Sequence, residues 1–202
     1  MNRRTHHPRL PPVQFAVEQR AIRFRSEVGI SEHQELPLDV AVRAIPGCEI
    51  FGLRHDPRLT YEQVVYLRTE GYRAFGAMAK RLDDRVYIVF NDDHHPRRVR
   101  VDVMEEIFHI LLGHREDIVT LAPRNGRHRT HDSAKEAEAE AYAKAALVPY
   151  PALFAMLSRQ THIARIAEHF AVPVDVVHER IGATDLGDLM NTQFLQYALM
   201  AQ

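Results

Sequence analysis

Apolar side chains recur at helical spacing in two long stretches of the chain. In the first, from residue 98 to about 115, one helical face would carry Val103, Ile107, Ile110, Leu111 and His114. The second runs from 133 to 148, is rich in alanine, the residue with the highest helix propensity, and stops before Pro149. The pattern therefore predicts two long helices joined by a polar loop at 123–132.

Strand-like runs precede the first long helix. Residues 73–80 and 86–90 are separated by the polar segment 81–84, which suits a tight reversal between antiparallel strands. Residues 48–53 predict a further strand. Together with the helices, these runs predict an α+β fold with a small antiparallel sheet.

Shorter helices are predicted on both sides of this region. One, near residues 36–45, ends at Pro46 and Gly47, and another starts at Thr60, which has the capping-box spacing to Gln63. After Pro151 the chain is predicted to be helical at 152–158, 162–170, 174–181 and 186–201. Two of these helices have the spacing of a helix-turn-helix motif.

The length of 202 residues suits one principal core. Pro8, Pro11 and Pro12, which lie among basic residues, predict an extended arm over about the first 20 residues. We therefore divide the chain into an N-terminal arm and lead-in (1–35), a central domain (36–158) and a C-terminal helical region (159–202).

Composition narrows the class of protein. Hydrophobic residues make up 46% of the chain and charged residues 26%, as in ordinary globular proteins. The formal charge of -1 gives no global electrostatic reason to bind nucleic acid. The N-terminus does not resemble a secretion signal, the single cysteine has no internal partner, and no apolar run reaches the roughly 20 residues that a membrane span needs. We expect a cytoplasmic protein without membrane contact.

The first long helix carries three residues of chemical interest. Glu105 and His109 are four positions apart and therefore share one helical face, while Glu106 is rotated by about 100° from Glu105. In one interpretation the first two are metal ligands beside a carboxylate base. In the other, they are polar residues on the solvated side of an amphipathic helix.

The second long helix favours the metal interpretation. One face of this helix carries Glu136, Glu140 and Lys144. Glu140 and Lys144 are four positions apart, the spacing of a surface ion pair, so this face is predicted to be exposed to solvent. Glu138 lies instead among alanines suited to a close helix contact, where an ionised carboxylate needs a partner. A metal ion would be such a partner.

Convergence of the two helices would then assemble a catalytic site. We expect Glu105, His109 and Glu138 to bind one metal ion and to leave a fourth position for water. Glu106 would act as the general base that takes a proton from this water in amide hydrolysis.

The order and spacing of these residues resemble the ImmA/IrrE family of metallo-endopeptidases. The family has a His-Glu-x-x-His helix followed by a glutamate on a helix that ends at a proline, and the matching stretches here are 104–114 and 136–149. The resemblance covers about residues 36–182. It implies a zincin-like minimal metallopeptidase fold with two long active-site helices. It also implies cleavage of a regulatory, repressor-like protein, so that a transcriptional regulator is the expected substrate or partner.

Glu105 stands where the family motif has its first histidine. The site would therefore offer two carboxylates and one imidazole. Zinc is the expected ion and manganese the alternative, because oxygen ligands favour harder ions. The substitution leaves a second function open, that of a weak or inactive pseudo-peptidase that acts as a regulatory protein-binding module.

Neighbouring residues are interpreted structurally. We expect His114 to be a core or interface histidine that donates to a backbone carbonyl, and Tyr142 to pack rather than to stabilise an oxyanion. His128 and His131 are interpreted as surface residues, with replacement of the missing imidazole as the alternative. The strand at 73–80 is a candidate edge for an extended substrate peptide.

The helix-turn-helix pattern at the C-terminus predicts a packing or partner role. Its second helix carries Asp175, Glu179 and a single fixed cation, Arg180. A helix that reads DNA needs more basic or amide side chains for phosphates and bases. Direct nucleic-acid binding is therefore not expected, and the competing DNA-binding hypothesis depends on Arg180 and nearby basic residues.

Overall fold

The computed structural model describes residues 10–55, 59–69, 75–82, 85–114 and 133–190. Its helices are α1 Pro12–Glu27, α2 Leu38–Ala41, α3 Tyr61–Thr69, α4 Pro96–Leu111, α5 Ser133–Leu147, α6 Tyr150–Ser158, α7 Ile163–His169 and α8 Val174–Ala183. Its strands are β1 Cys48–Gly52, β2 Ala77–Leu82 and β3 Arg85–Phe90. Short 3-10 turns follow α2 and β1 at Val42–Ala44 and Leu53–His55. The predicted α+β class, with two long helices and a helical C-terminal region, is confirmed.

The sheet is mixed rather than purely antiparallel. β3 lies between β1 and β2. β2 and β3 form the predicted hairpin, with Met78 opposite Val89. β1 runs parallel to β3, with Ile50 opposite Ile88. The antiparallel prediction is wrong for β1 because two reversals of the chain, one after β1 and one in the hairpin, return β3 to the direction of β1.

Side chains of β3 alternate between two apolar clusters. Val86 and Ile88 belong to the main core, whereas Val89 joins a smaller cluster with Leu53 and Leu67. α4 packs on β2 and β3 with one side and on α5 with another. Two sides of α4 are therefore packing surfaces. No helix in the described ranges is both long and apolar enough to cross a membrane.

Local capping sets the start of two helices. The backbone N–H of Gln63 donates to Oγ1 of Thr60 (3.2 Å), and the N–H of Thr60 donates to Oε1 of Gln63 (2.9 Å), so the predicted capping box is confirmed. At α4, Nδ1 of His95 accepts from the N–H of Arg97 at 3.2 Å. Pro96 occupies the first helical position, where its missing N–H leaves no bond unmade.

The N-terminal prolines introduce a helix. Pro12 begins α1, and the side chains of Val17, Ala21 and Phe24, spaced four and three apart, enter the main core. The predicted extended arm is therefore wrong from residue 12 onward, because proline is tolerated in the first turn of a helix. The main hydrophobic cluster runs from Val17 to Leu186. The proposed boundaries near residues 36 and 159 stay predictions.

A buried ion pair ties α8 to α1. Arg180 and Glu18 are each 2% exposed and are bonded to each other. Arg180 also donates through Nε to the carbonyl of Val148 (3.0 Å), and Glu18 accepts from the backbone N–H of Tyr150 (3.1 Å). Burial lowers the pKa of Arg180, and the charge of Glu18 opposes that change. The cation on which the DNA-binding hypothesis depends is therefore enclosed in the protein.

We expect Arg180→Leu to lower the free energy of unfolding by about 3–5 kcal/mol, because it leaves the carboxylate of Glu18 buried without its counter-charge. Arg165→Leu is the matched control, since Arg165 forms an exposed pair with Glu168 and its loss should cost about 1 kcal/mol or less. Urea denaturation followed by circular dichroism measures both changes. Equal losses in the two variants would contradict a special role of the buried pair.

Candidate metal centre

Two packed helices bring Glu105, His109 and Glu136 together. α4 supplies Glu105 and His109 from one face, and α5, which packs along α4, supplies Glu136. One ligand atom from each residue lies within 4.8 Å of the other two. Nε2 of His109 is 3.5 Å from Oε2 of Glu136. Within the described ranges this is the one such group of three or more candidate ligands.

The electrostatics of Glu105 differ from those of a solvated surface residue. Burial raises its pKa to about 7, with further increases from the charges of Glu140, Glu136 and Asp102, while Lys144 opposes them. The side chain is half-buried on a helix that packs against α5, which does not match a fully solvated face. The side chain lies in an acidic, partly desolvated setting, where a bound cation would relieve the repulsion between carboxylates.

Glu138 lies outside this group. Its side chain is 49% exposed and its Oε2 lies 3.1 Å from Nε2 of His114, whereas the side chain of Glu136 is 28% exposed. The expectation that Glu138 faces the helix contact is wrong, because the buried stripe of α5 passes through Ala139 and Ala143, at positions that put Glu136 on the same side. Alanines follow both Glu136 and Glu138 at helical spacing, so the sequence contained no signal that separated the two glutamates. A ligand role for Glu138 stays a prediction that this geometry does not favour.

Glu106 faces β2, about 100° around α4 from Glu105. It is 6% exposed, and its Oε2 accepts a hydrogen bond from the backbone N–H of Ala79 in β2 at 2.8 Å. The carbonyl of Gly76 accepts from the N–H of Asn91, so the backbone groups of Gly76 face β3 and its extension. Backbone groups of alternate residues face opposite ways along a strand, and those of Ala79, three residues later, therefore point away from β3. Glu106 therefore lies along the outer edge of β2, which pairs with no other strand in the described ranges.

A polar network that the sequence did not indicate fixes the start of α4. Asp102 is 5% exposed, lies 2.8 Å from Nε of Arg98, and has its pKa raised mainly by burial. Nδ1 of His94 lies 3.5 Å from Asp102, and its Nε2 is 3.3 Å from Nδ2 of Asn91. A Cβ at Gly76 would come within 2.6 Å of Asp102, so glycine permits this close approach. Asp102 lies four residues before Glu106 and therefore on the same face of α4, the face that packs beside Gly76 and β2.

Structural roles were also predicted for His114 and Tyr142, which lie near the three candidate ligands. His114 is partly buried, but its ring nitrogens contact His109 and Glu138, so the expected donation to a backbone carbonyl is wrong. Tyr142 stacks on Phe108, with ring centroids 5.7 Å apart, in line with the expected packing role. His128 and His131, the alternative imidazoles, fall outside the described residues.

A protein-family comparison matches this part of the chain. The model of the IrrE N-terminal-like domain, peptidase family M78, matches residues 57–182, which is more than half of the chain. The chain belongs to this family. The resemblance inferred from the two long helices is confirmed. No curated protein matches the chain.

A solved structure shares the fold of this family member. A Mycobacterium tuberculosis transcriptional regulator superposes with a TM-score of 0.53 at 17% sequence identity. The match covers 83% of this chain and 46% of the regulator, so the chain spans less than half of that protein. The IrrE-like α+β fold is thereby confirmed.

The raised pKa of Glu105 makes the stability of the metal-free protein depend on pH. Between its ordinary pKa and about 7, Glu105 keeps its proton in the folded chain and loses it in the unfolded chain. The folded state binds more protons in this window, so stability falls as pH rises through it. We expect Glu105→Gln to raise the Tm by about 2–4 °C near pH 8 and to change it little near pH 5.

Thermal melts in the presence of a chelator measure this effect. Glu168→Gln, a change at an exposed residue of α7, is the control and should behave alike at both pH values. The same stabilisation by Glu105→Gln at both pH values would show that the charge of Glu105 carries no cost in the folded protein.

Proposed function

We propose that this chain is a metal-dependent endopeptidase of the ImmA/IrrE type that cleaves a regulatory, repressor-like protein. The observation that carries the proposal is the convergence of Glu105, His109 and Glu136 within 4.8 Å on two packed helices, with the buried carboxylate of Glu106 on the same helix. Membership of the IrrE N-terminal-like family supports a metal-dependent peptidase or a regulatory protein of this type.

The donor set fits a divalent cation. Carboxylate oxygens and an imidazole nitrogen are common ligands of zinc and manganese. Burial, and after it the charges of neighbouring carboxylates, raises the pKa of Glu105, and a bound cation would stabilise its ionised form. We propose zinc, with manganese as the alternative. Such an ion lowers the pKa of a water molecule and polarises a substrate carbonyl when it is bound.

Glu106 is proposed as the general base. The backbone N–H of Ala79 holds Oε2 of Glu106 at 2.8 Å, so the position of the carboxylate is set by both α4 and β2. From there Glu106 would accept a proton from the attacking water and return it to the leaving amine. Its burial keeps bulk water away from the carboxylate and strengthens its electrostatic interactions.

The outer edge of β2 is proposed to hold the substrate. An extended peptide can add to an open sheet edge through backbone hydrogen bonds. Glu106 occupies the outward N–H of Ala79 at this edge, so a peptide bound along the neighbouring backbone groups of β2 would bring its peptide bonds near the proposed base. A transcriptional regulator in the cytoplasm is the proposed substrate. The structural neighbour is itself a transcriptional regulator, which supports a link to gene regulation.

The second candidate function is a non-catalytic, protein-binding regulatory module of the same fold. The observation that favours it is Glu105 at the position of the first motif histidine. Replacing an imidazole by a carboxylate lowers the net positive charge at an ion and weakens its activation of water.

Metal content separates the two candidate third ligands. We expect chain purified without added metal to carry a stoichiometric divalent ion, measured by mass spectrometry. His109→Ala and Glu136→Gln should lose the ion, because each removes one of three converging donors. Glu138→Gln should keep it, since its exposed carboxylate lies outside the group.

The opposite result for the two glutamates would restore Glu138 as the ligand. Absence of an ion from the native chain, even after zinc or manganese is supplied, would contradict the metal centre and favour the binding module.

Glu106→Gln tests catalysis. We expect this variant to keep its ion but to cleave at a rate reduced by about 10²–10⁴-fold, because it lacks the proton acceptor. Labelling of new N-termini in a lysate of the source cells, incubated with metal-loaded protein, detects cleavage of whichever protein is the substrate. Glu168→Gln is the control for the change of side chain. A Glu106→Gln variant that cleaves normally would remove Glu106 from the mechanism.

A further inference from the structure

A glycine turn folds His114 back onto the last turn of α4. Gly113 has a φ of +71°, and its N–H donates to the carbonyl of Ile110 at 3.1 Å. The N–H of His114 donates to the carbonyl of His109 at 2.9 Å. These two bonds form a Schellman motif, which ends the helix and reverses the chain. The turn therefore returns a histidine to the helical turn that carries His109.

The returned side chain links His109 to Glu138. Nδ1 of His114 lies 3.0 Å from Nδ1 of His109, and the two rings meet edge to face with centroids 5.1 Å apart. Nε2 of His114 lies 3.1 Å from Oε2 of Glu138. The histidine side chains are 12% and 9% exposed, for His109 and His114 respectively. Glu138, His114 and His109 thus form a continuous chain of polar contacts that leads to the candidate metal centre.

The hydrogen-bond donors and acceptors in this series of contacts determine which ring nitrogens carry a hydrogen. An ionised carboxylate only accepts, so Nε2 of His114 must donate to Glu138. In a neutral His114 the other nitrogen, Nδ1, is then an acceptor, and Nδ1 of His109 must donate to it. A neutral His109 has one ring hydrogen, and two contacts compete for it. Oε2 of Glu136 is 3.5 Å from Nε2, which is long for a hydrogen bond, whereas the 3.0 Å contact between the two Nδ1 atoms has an ordinary length. The hydrogen is therefore assigned to Nδ1, and Nε2 keeps the lone pair that a metal ligand requires.

We propose that His114, oriented by Glu138, is a positioning residue that fixes the tautomer and ring orientation of His109 as a ligand. The metal-binding part of this inference rests on the proposed function, whereas the hydrogen-bond chain belongs to the metal-free protein. The proposal gives the exposed Glu138 a role without making it a ligand. It also explains why a glycine in the left-handed region precedes His114.

Two isosteric substitutions of His114 test the contact with His109. In His114→Asn, the amide oxygen takes the place of Nδ1 and can still accept from His109, but contact with Glu138 is lost. In His114→Gln, the amide reaches toward Glu138 and the acceptor for His109 is lost. We expect His114→Gln and His114→Ala to weaken Zn²⁺ and Co²⁺ binding by about 10–100-fold, and His114→Asn to stay within about threefold of the native affinity.

Competition with a chromophoric chelator measures these affinities, and the absorption spectrum of bound Co²⁺ reports the ligand geometry. Native-like binding and an unchanged spectrum for His114→Gln would overturn the proposal, as would equal losses for Asn and Gln. Loss of the ion in Glu138→Ala, as complete as in His109→Ala, would also overturn it by making Glu138 a ligand.

Nuclear magnetic resonance of the histidine ring nitrogens provides a readout on the metal-free protein. We expect His109 to carry its hydrogen on Nδ1 and His114 on Nε2, and Glu138→Ala to give mixed tautomers. Other tautomers in the native chain would overturn the hydrogen-bond chain. If the native chain has the expected tautomers but binds no ion through Glu105 and His109, the proposed function is refuted, and with it the ligand role of His109. Metal binding that is insensitive to all His114 variants would refute the positioning role alone.

Discussion

Packing of α4 between the sheet and α5 is the constraint on which the rest of the site depends. Glu105 and Glu106 are neighbours in the chain, yet helical rotation sends the first toward α5 and the second toward β2. Each carboxylate therefore has a different neighbour. Glu105 lies near the acidic side chains of α5, whereas Glu106 accepts a hydrogen bond from the backbone N–H of Ala79 in β2. A single helix thus separates a candidate ligand from a candidate base.

The position of α5 is held from its C-terminal end. Arg25 of α1 donates to the carbonyl of Ala146, and Arg180 of α8 donates to that of Val148. These are carbonyls for which the last turn of a helix has no partner of its own, and charged donors satisfy them well. Burial lowers the pKa of Arg25 to about 10 and lowers that of Arg180 as well. Buried charge at this end orients a helix whose other end carries Glu136.

The acidic character of the site connects its stability with its chemistry. Without a cation, the raised pKa of Glu105 reflects the cost of burying its charge, increased by the neighbouring carboxylates. A divalent ion would turn that cost into binding energy, and deprotonation of Glu105 would then favour the bound state. On the far side of the group, His114 supplies a hydrogen-bond partner to the one imidazole among the candidate ligands. Stability and ligand geometry are therefore set by the same few contacts.

The sequence by itself determined the two long helices, the hairpin, the capping box and the family, because periodicity, capping and turn chemistry depend on residues close together in the chain. It did not determine that Pro12 begins a packed helix, or that β1 runs parallel to β3, since both depend on distant partners. The choice between Glu136 and Glu138 was undetermined because alanine suits any face of α5, and only the packing against α4 decided which carboxylate lies inside. The contact of His114 with His109 likewise required the three-dimensional path of the turn. Local interactions specify elements, whereas the face that each element buries is decided by the segments that pack against it.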